Sequence, residues 1–204
     1  MSGKPIELLF ATGNLHKVDE VKNILNSEVF KILSLAEFPD IPEIEETGKT
    51  FEENAFLKAG IIFKKFNIPV IADDSGLVVE QLNGAPGIFS SRYAGENATD
   101  EDNNKKLLEE LENFPEPHFA KFVCFAVFFD GKNKITAEGE LLGKIVKESK
   151  GVHGFGYDPI FVPEGYTKTL AEFLPEEKNK ISHRAKAFKK LGEKLRDFYL
   201  SGKA

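Results

Sequence analysis

The sequence holds one cysteine, one methionine and no tryptophan in 204 residues. A lone Cys124 excludes a disulfide framework within one chain and fits a reducing compartment. Zinc-type Cys/His spacing is absent, because His16, His118, His153 and His183 are scattered along the chain. No Ser-His-Asp set can be identified. No apolar run approaches the roughly 18 residues that cross a membrane. Residues 1–7 have no apolar signal region followed by a cleavage site. Internal repeats and low-complexity tracts are also lacking. The expectation is a soluble, cytoplasmic chain without a membrane partner.

What is present is an ordinary globular composition, 41% hydrophobic with 19 Phe. At this length one domain, or one domain with a small lobe, is expected, with a core of real size. The net charge of −6 argues against nucleic-acid binding. Its distribution is uneven. Residues 178–204 hold nine Lys or Arg side chains against Glu193 and Asp197, so the rest of the chain is strongly acidic. Such a tail is either a solvated helix face or a set of cations that reach phosphates beside an acidic metal site.

The most unusual stretch is Ile71-Ala72-Asp73-Asp74-Ser75-Gly76-Leu77. An apolar run, Ile68 to Ala72, meets two adjacent carboxylates, and a second apolar run follows from Leu77 to Leu82. The pattern predicts two strands joined by a tight polar turn. Buried carboxylates cost several kcal/mol each unless cations or hydrogen bonds compensate. The rest of the chain must therefore supply them.

Candidates occur on both sides of that stretch. Leu8 to Ala11 reads as a strand and Thr12-Gly13-Asn14-Leu15-His16-Lys17 as a turn. Val18, Val21 and Leu25 then mark a helix to about Asn26. Strand, glycine turn and helix start form a phosphate cradle in outline, although neither GxxxxGK[ST] nor GxGxxG is present. Residues 39–53 are acidic, with Asp40, Glu43, Glu45, Glu46, Glu52 and Glu53 against Lys49. Thr50-x-x-Glu53 is a capping-box pattern, so a helix is expected from there to about Phe66, with Asn54 and Lys58 along one margin of its buried stripe.

Residues 83–98 read as a long Gly/Pro/Ser/Asn loop, of the kind that is functional or mobile. Thr99 caps a helix carrying Leu107, Leu108 and Leu111. Phe119 to Phe129 is apolar on both faces and predicts a central strand. Ile135 to Leu141 alternates as a half-exposed strand, with a further short strand at Gly143 to Val146. Gly151-Val152-His153-Gly154-Phe155-Gly156-Tyr157-Asp158-Pro159 combines close backbone approach with aromatic faces. Leu174 to Ile181 reads as a polar connector. Ser182-His183-Arg184 opens the last helix, whose core positions are Phe188, Leu191, Leu195 and Phe198.

Each feature alone has an ordinary explanation. Together they supply a phosphate turn, carboxylates for a divalent cation (Glu45 or Glu46 with Asp73 or Asp74), cations for phosphates (Lys17, Lys58, Lys178, Arg184) and aromatics for a base (Phe155, Tyr157). Oxygen donors of this sort suit Mg²⁺.

In this combination the chain resembles the inosine triphosphate pyrophosphatase family. The blocks are Ala11-Thr12-Gly13-Asn14-x-x-Lys17, Glu45-Glu46-Thr47-Gly48-x-Thr50-Phe51-x-Glu53-Asn54-Ala55, Ala72 to Leu77, Gly84-Ala85-Pro86-Gly87, Gly154 to Pro159 and Ser182-His183-Arg184, in the family's order. The resemblance implies an elongated α/β fold: a long central mixed β-sheet flanked by helices, as a single domain of two lobes with the active site in the cleft between them. It also implies a homodimer and hydrolysis of ITP, dITP or XTP to the monophosphate and pyrophosphate with Mg²⁺. By position, Asp74 is the catalytic base and a metal ligand, with Glu45 the preferred second metal carboxylate. Lys58 is assigned to catalysis through charge stabilisation. Thr12, Gly13, Asn14, Leu15, His16 and Lys17 bind phosphate. Ser75, Phe155, Gly156, Tyr157, Asp158, Lys178, His183 and Arg184 bind the nucleotide. Asp73 serves the metal or only holds the turn, and both readings stay open here. The rival readings are an aspartyl-phosphate phosphatase releasing orthophosphate and a non-catalytic nucleotide sensor.

Overall fold

The structure is a computed structural model and describes residues 4–25, 27–42 and 44–202. Met1 to Gly3 of the amino-terminal segment, Asn26 at the expected end of the first helix, Glu43 of the acidic stretch and Lys203 of the basic tail lie outside the described residues.

The fold is α/β. Six strands form one sheet: β1 (Ile6–Phe10), β2 (Phe30–Ser34), β3 (Val70–Val79), β4 (His118–Phe129), β5 (Lys134–Ile145) and β6 (Phe161–Pro163), in the order β2-β1-β3-β4-β5-β6. β1 pairs in parallel with β2 and β3, and β5 pairs antiparallel with β6, so the sheet is mixed. The helices are α1 (Leu15–Leu25), α2 (Phe51–Phe66), α3 (Asp100–Leu111), α4 (Pro175–Ile181) and α5 (His183–Leu200). The chain divides into two compact units. One holds residues up to Asp74, Cys124–Gly139 and everything from Arg184 on; the other holds Ser75–Val123 and Glu140–His183.

The first unit has two apolar layers. Leu8, Phe10, Ile71, Cys124, Ala126 and Phe128 pack with Val18 and Val21 of α1 and with Phe188, Leu191 and Leu195 of α5. Leu9, Ala11, Val70, Ala72 and Val127 pack with Ala55, Ala59 and Ile62 of α2. The alternation along β1, β3 and β4 follows from the two-residue period of a strand. It explains why the start of β3 reads as an unbroken apolar run: both of its faces are covered. In the second unit Leu77, Val79, Phe122, Leu141 and Phe161 pack with Leu107 and Leu111 of α3, and Leu170 and Phe173 close the same cluster.

Capping sets the helix starts. Thr50 Oγ1 accepts from Glu53 N (3.1 Å) at the head of α2, where Glu52 and Glu53 oppose the positive end of the helix dipole and Lys64 and Lys65 the negative end. The Glu53 carboxylate accepts from Lys49 N (2.6 Å) rather than from the N–H of Thr50, so the box is opened by one residue. Thr99 and Asp102 form the full reciprocal box at α3.

Three expectations change, and one strand is added. No turn separates two strands at Asp73-Asp74-Ser75-Gly76; β3 runs straight through, and Gly76 is not among the glycines of positive φ. The carboxylates are tolerated because adjacent strand residues point to opposite faces. Asp73 shares the face of Ile71, and Asp74 the face of Val70 and Ala72. β5 is likewise continuous where two strands are expected, since Gly143 pairs with Pro163 instead of breaking the ladder. Leu174 to Ile181 is not a connector but contains α4, a short helix with Pro175 in its first turn. β2, for which the sequence pattern gives no signal, is five residues long and pairs along all of β1.

Candidate active site

Asp74 is 6% exposed and faces α2. Two side chains one helical turn apart hold its two oxygens: Lys58 Nζ lies 3.1 Å from Oδ1, and Asn54 Nδ2 donates to Oδ2 at 3.2 Å. Lys58 also donates to Glu46 Oε1 at 2.9 Å. Glu46 is therefore the second carboxylate that the structure ties to Asp74, through Lys58, whereas Glu45 is exposed. Burial pushes the Asp74 carboxyl up, Lys58 opposes this, and Glu46 adds to it. Burial would lower the Lys58 ammonium, but Asp74, Glu46 and Asp73 together hold it above its ordinary value. The result is a polarised pair of carboxylates around one ammonium.

Asp73 lies on the other face and is fully buried at 1% exposure. Its Oδ2 accepts from Arg184 Nε at 3.2 Å and sits 3.3 Å from Lys17 Nζ. Burial alone would raise this carboxyl, yet the charges of Lys17, Arg184 and Lys58 hold it well below the usual carboxylate range. Arg184 is equally buried and reaches Glu20 Oε2 at 2.6 Å. The guanidinium thus fastens α5 to β3 and α1. Its side chain, expected at the nucleotide, is engaged in this buried network.

The glycine turn stands at the head of α1. Asn14 is its cap: Asn14 O accepts from Val18 N (3.1 Å), and Asn14 Oδ1 accepts from Lys17 N (3.3 Å). Thr12 Oγ1 in turn accepts from Asn14 N at 3.2 Å. Gly13, Asn14, Leu15 and His16 are exposed, and Thr12 and Lys17 are half-buried. The sequence-predicted residues of the first unit, Lys17, Lys58 and Asp74, therefore come together with Asp73 on neighbouring strands and helices. Asn54 is the participant that the sequence reading leaves without a role. The signal for it was its position, four residues before Lys58.

In the second unit, Asp158 is the organising side chain. Its Oδ2 accepts from Phe155 N (3.0 Å) and from Lys178 Nζ (2.6 Å). The Lys178 ammonium stands 4.7 Å from the centre of the Phe155 ring, within cation–π range. Phe155 and Gly156 are half-buried. Asp100 Oδ2 accepts from Gly156 N (2.6 Å) and Asn104 Nδ2 donates to Gly156 O (3.0 Å), so one face of α3 grips both ends of that residue. Tyr157 does not offer an open aromatic face: its ring is buried in the core, its hydroxyl donates to Ser90 O (2.9 Å), and burial pushes its pKa up. His183 is buried and stacked on Phe122, with ring centres 4.7 Å apart and planes inclined by 9°. Ser75 is half-buried in β3.

A match to the model of the Ham1 family covers residues 8–194. The chain belongs to the Ham1 family. Among its relatives is a dITP/XTP pyrophosphatase of Aquifex aeolicus (strain VF5), 49% identical over 201 residues, a match covering 94% of this chain and 98% of that one. Another is a dITP/XTP pyrophosphatase of Bacillus subtilis (strain 168), 49% identical over 191 residues, covering 93% and 96%. Solved Ham1 structures agree. A HAM1 protein from Coxiella burnetii superposes with a TM-score of 0.86 at 41% identity, covering 94% of this chain and 99% of that one. The Ham1 protein of Staphylococcus aureus gives 0.83 at 42% identity, covering 94% and 98%. The mixed sheet with flanking helices is thus the Ham1 fold. Among the described residues, no helix is long and apolar enough to cross a membrane.

For a metal, the donor chemistry is the test. Among the described residues, no three His, Cys, Asp or Glu side chains form a ready nest. Asp74 and Glu46, joined through Lys58, offer oxygen donors only. One or two carboxylates completed by substrate phosphates and water is the usual provision for Mg²⁺, so the residues fit that ion.

Proposed function

We propose that this Ham1 protein hydrolyses nucleoside triphosphates with non-standard purines (ITP, dITP and XTP) to the monophosphate and pyrophosphate, clearing them from the nucleotide pool. The observation that carries the chemistry is the Asp74 carboxylate held between Asn54 and Lys58 with Glu46 beside it. The substrate class is that of the relatives' names.

Phosphoryl transfer needs positioning and charge neutralisation more than covalent help. Asp74 takes the proton of the attacking water as general base, a role that its raised carboxyl pKa favours. Lys58 and Lys17 stabilise charge that develops on phosphate oxygens. Thr12 to His16, at the head of α1, present the positive end of the helix dipole to the phosphates. Asp74 and Glu46, or Glu45 from the neighbouring position, hold Mg²⁺, which when bound supplies Lewis-acid polarisation and neutralises phosphate charge. In the second unit, Phe155 stacks on the base, with Gly156, Tyr157, Asp158 and Lys178 keeping that segment in place. Hypoxanthine and xanthine carry an acceptor oxygen at C6 where adenine carries a donor amine. Donors near His183 and Lys178 donate to that oxygen and leave the adenine amine unpaired, which discriminates strongly in a buried site. We further propose a magnesium-dependent, cytoplasmic homodimer with no nucleic-acid or membrane partner.

Incubation with ITP, XTP, GTP and ATP, with and without Mg²⁺, tests this. Magnesium-dependent release of pyrophosphate from ITP and XTP is expected. Release of orthophosphate indicates the aspartyl-phosphate alternative, and ITP binding without turnover indicates a sensor.

A further inference from the structure

We infer that Asn54 is a positioning residue for the reaction, acting through Asp74. The inference rests on the reading of Asp74 as the reacting carboxylate. Asn54 is fully buried. Its amide is used at both ends: Nδ2 donates to Asp74 Oδ2 at 3.2 Å, and Oδ1 accepts from Gly48 N at 2.8 Å. Lys58, one turn further along α2, makes the parallel connection between Asp74 Oδ1 and Glu46. Two residues at i and i+4 thus lie on one helix face. Each bridges β3 and the acidic segment that precedes α2. Asn54 determines how the plane of the Asp74 carboxylate is turned, and it anchors the main chain two residues beyond Glu46.

Only an amide can do this. Aspartate cannot donate to Asp74 and would place a second carboxylate against it. Leucine has a similar volume but neither donor nor acceptor, so it leaves Gly48 N and Asp74 Oδ2 each short of one bond. Gly48 is part of the same device. A Cβ there would stand 2.5 Å from Asn54 Oδ1 and 2.8 Å from Glu53 Cβ, so a larger residue must push the segment off its amide anchor.

The test is a double-mutant cycle with ITP as substrate: wild type, Asn54→Leu, Asp74→Asn and the pair, with Asn54→Gln, Asn54→Asp and Gly48→Ala as further variants. Expected for Asn54→Leu is a fall in kcat of roughly ten- to a hundred-fold, the rate equivalent of one hydrogen bond to a charged group, with KM within about threefold. Gly48→Ala is expected to move kcat in the same direction, and Asn54→Gln to recover part of the loss that Asn54→Asp does not. In the Asp74→Asn background the Asn54→Leu change should cost almost nothing, because the group it acts through is already gone. Circular dichroism and thermal melting of each variant separate unfolding from the kinetic effect. Additive losses in the cycle, or a rise in KM alone, overturn the inference while leaving the function intact. High turnover by Asp74→Asn itself overturns the reading on which it rests.

Discussion

Arg184 Nε and Asp73 Oδ2 lie 3.2 Å apart although 111 residues separate them in the chain. Both side chains are essentially without solvent contact. A buried ion pair adds little net stability over an apolar pair, but removing one partner strands the other charge. Asp73→Asn is therefore expected to destabilise the protein by about 3–5 kcal/mol, the usual cost of breaking a buried pair. Urea denaturation followed by circular dichroism checks this. A midpoint unchanged from wild type would show that Glu20 alone satisfies the guanidinium.

The same pair contributes to the acid limb of the stability curve. The Asp73 carboxyl is held below its ordinary value in the folded state, so the unfolded chain binds that proton more readily. Its contribution is complete above the ordinary carboxylate range of about pH 4 and is lost as pH falls towards the depressed folded value. Wild type should lose stability on acidification through this window more steeply than Asp73→Asn, which has no such proton to take up. Equal acid slopes in urea titrations between pH 6 and about pH 3 would count against the assignment.

Asp74 should behave differently from its neighbour. Its contacts lie on the α2 face, and when it is neutralised Lys58 keeps Glu46 as a partner. Asp74→Asn is expected to remain folded, with a melting temperature close to wild type. Its pyrophosphate release from ITP is expected to fall by about 10²- to 10⁴-fold, the usual worth of a general base. The two adjacent aspartates then divide cleanly: one substitution costs stability and the other costs turnover.

That division marks where sequence reasoning stops. The motif blocks, the capped helices at Thr50 and Thr99 and the central strand at Phe119–Phe129 were legible, because each rests on local chemistry or on the two- and 3.6-residue periods. The glycine turn at Asn14 was legible for the same reason, and so was the need of the Asp73-Asp74 pair for compensating cations. The continuity of β3 through Asp73 and Asp74 was not. Asp-Asp-Ser-Gly carries every turn signal, and only cations arriving from α1, α2 and α5 make a straight buried strand tolerable. Tyr157 and Arg184 show the same limit. Their types suggest base stacking and phosphate binding, and nothing local reveals that a core cluster and the Asp73–Glu20 pair engage them. β2 escaped because, unlike the equally short β1, it is followed by no glycine turn to mark its end.

Gly154 offers a test of the second unit. Its φ of +79° lies in the left-handed region, where a side chain is strained. A Cβ at this position would also collide with the Asp158 carboxylate. That carboxylate accepts from Phe155 N and from Lys178 Nζ, so displacing it releases both the aromatic ring and the ammonium beside it. Gly154→Ala is therefore expected to raise KM for ITP by roughly tenfold or more, equivalent to losing about one charge-assisted hydrogen bond, while kcat changes little because Asp74 and Lys58 are untouched. Val152→Ala, at a side chain 92% exposed in the same segment, serves as the control and should leave both constants near wild type. Steady-state kinetics with ITP separate the outcomes: a Gly154→Ala enzyme with wild-type KM shows that the Asp158 arrangement does not govern base binding.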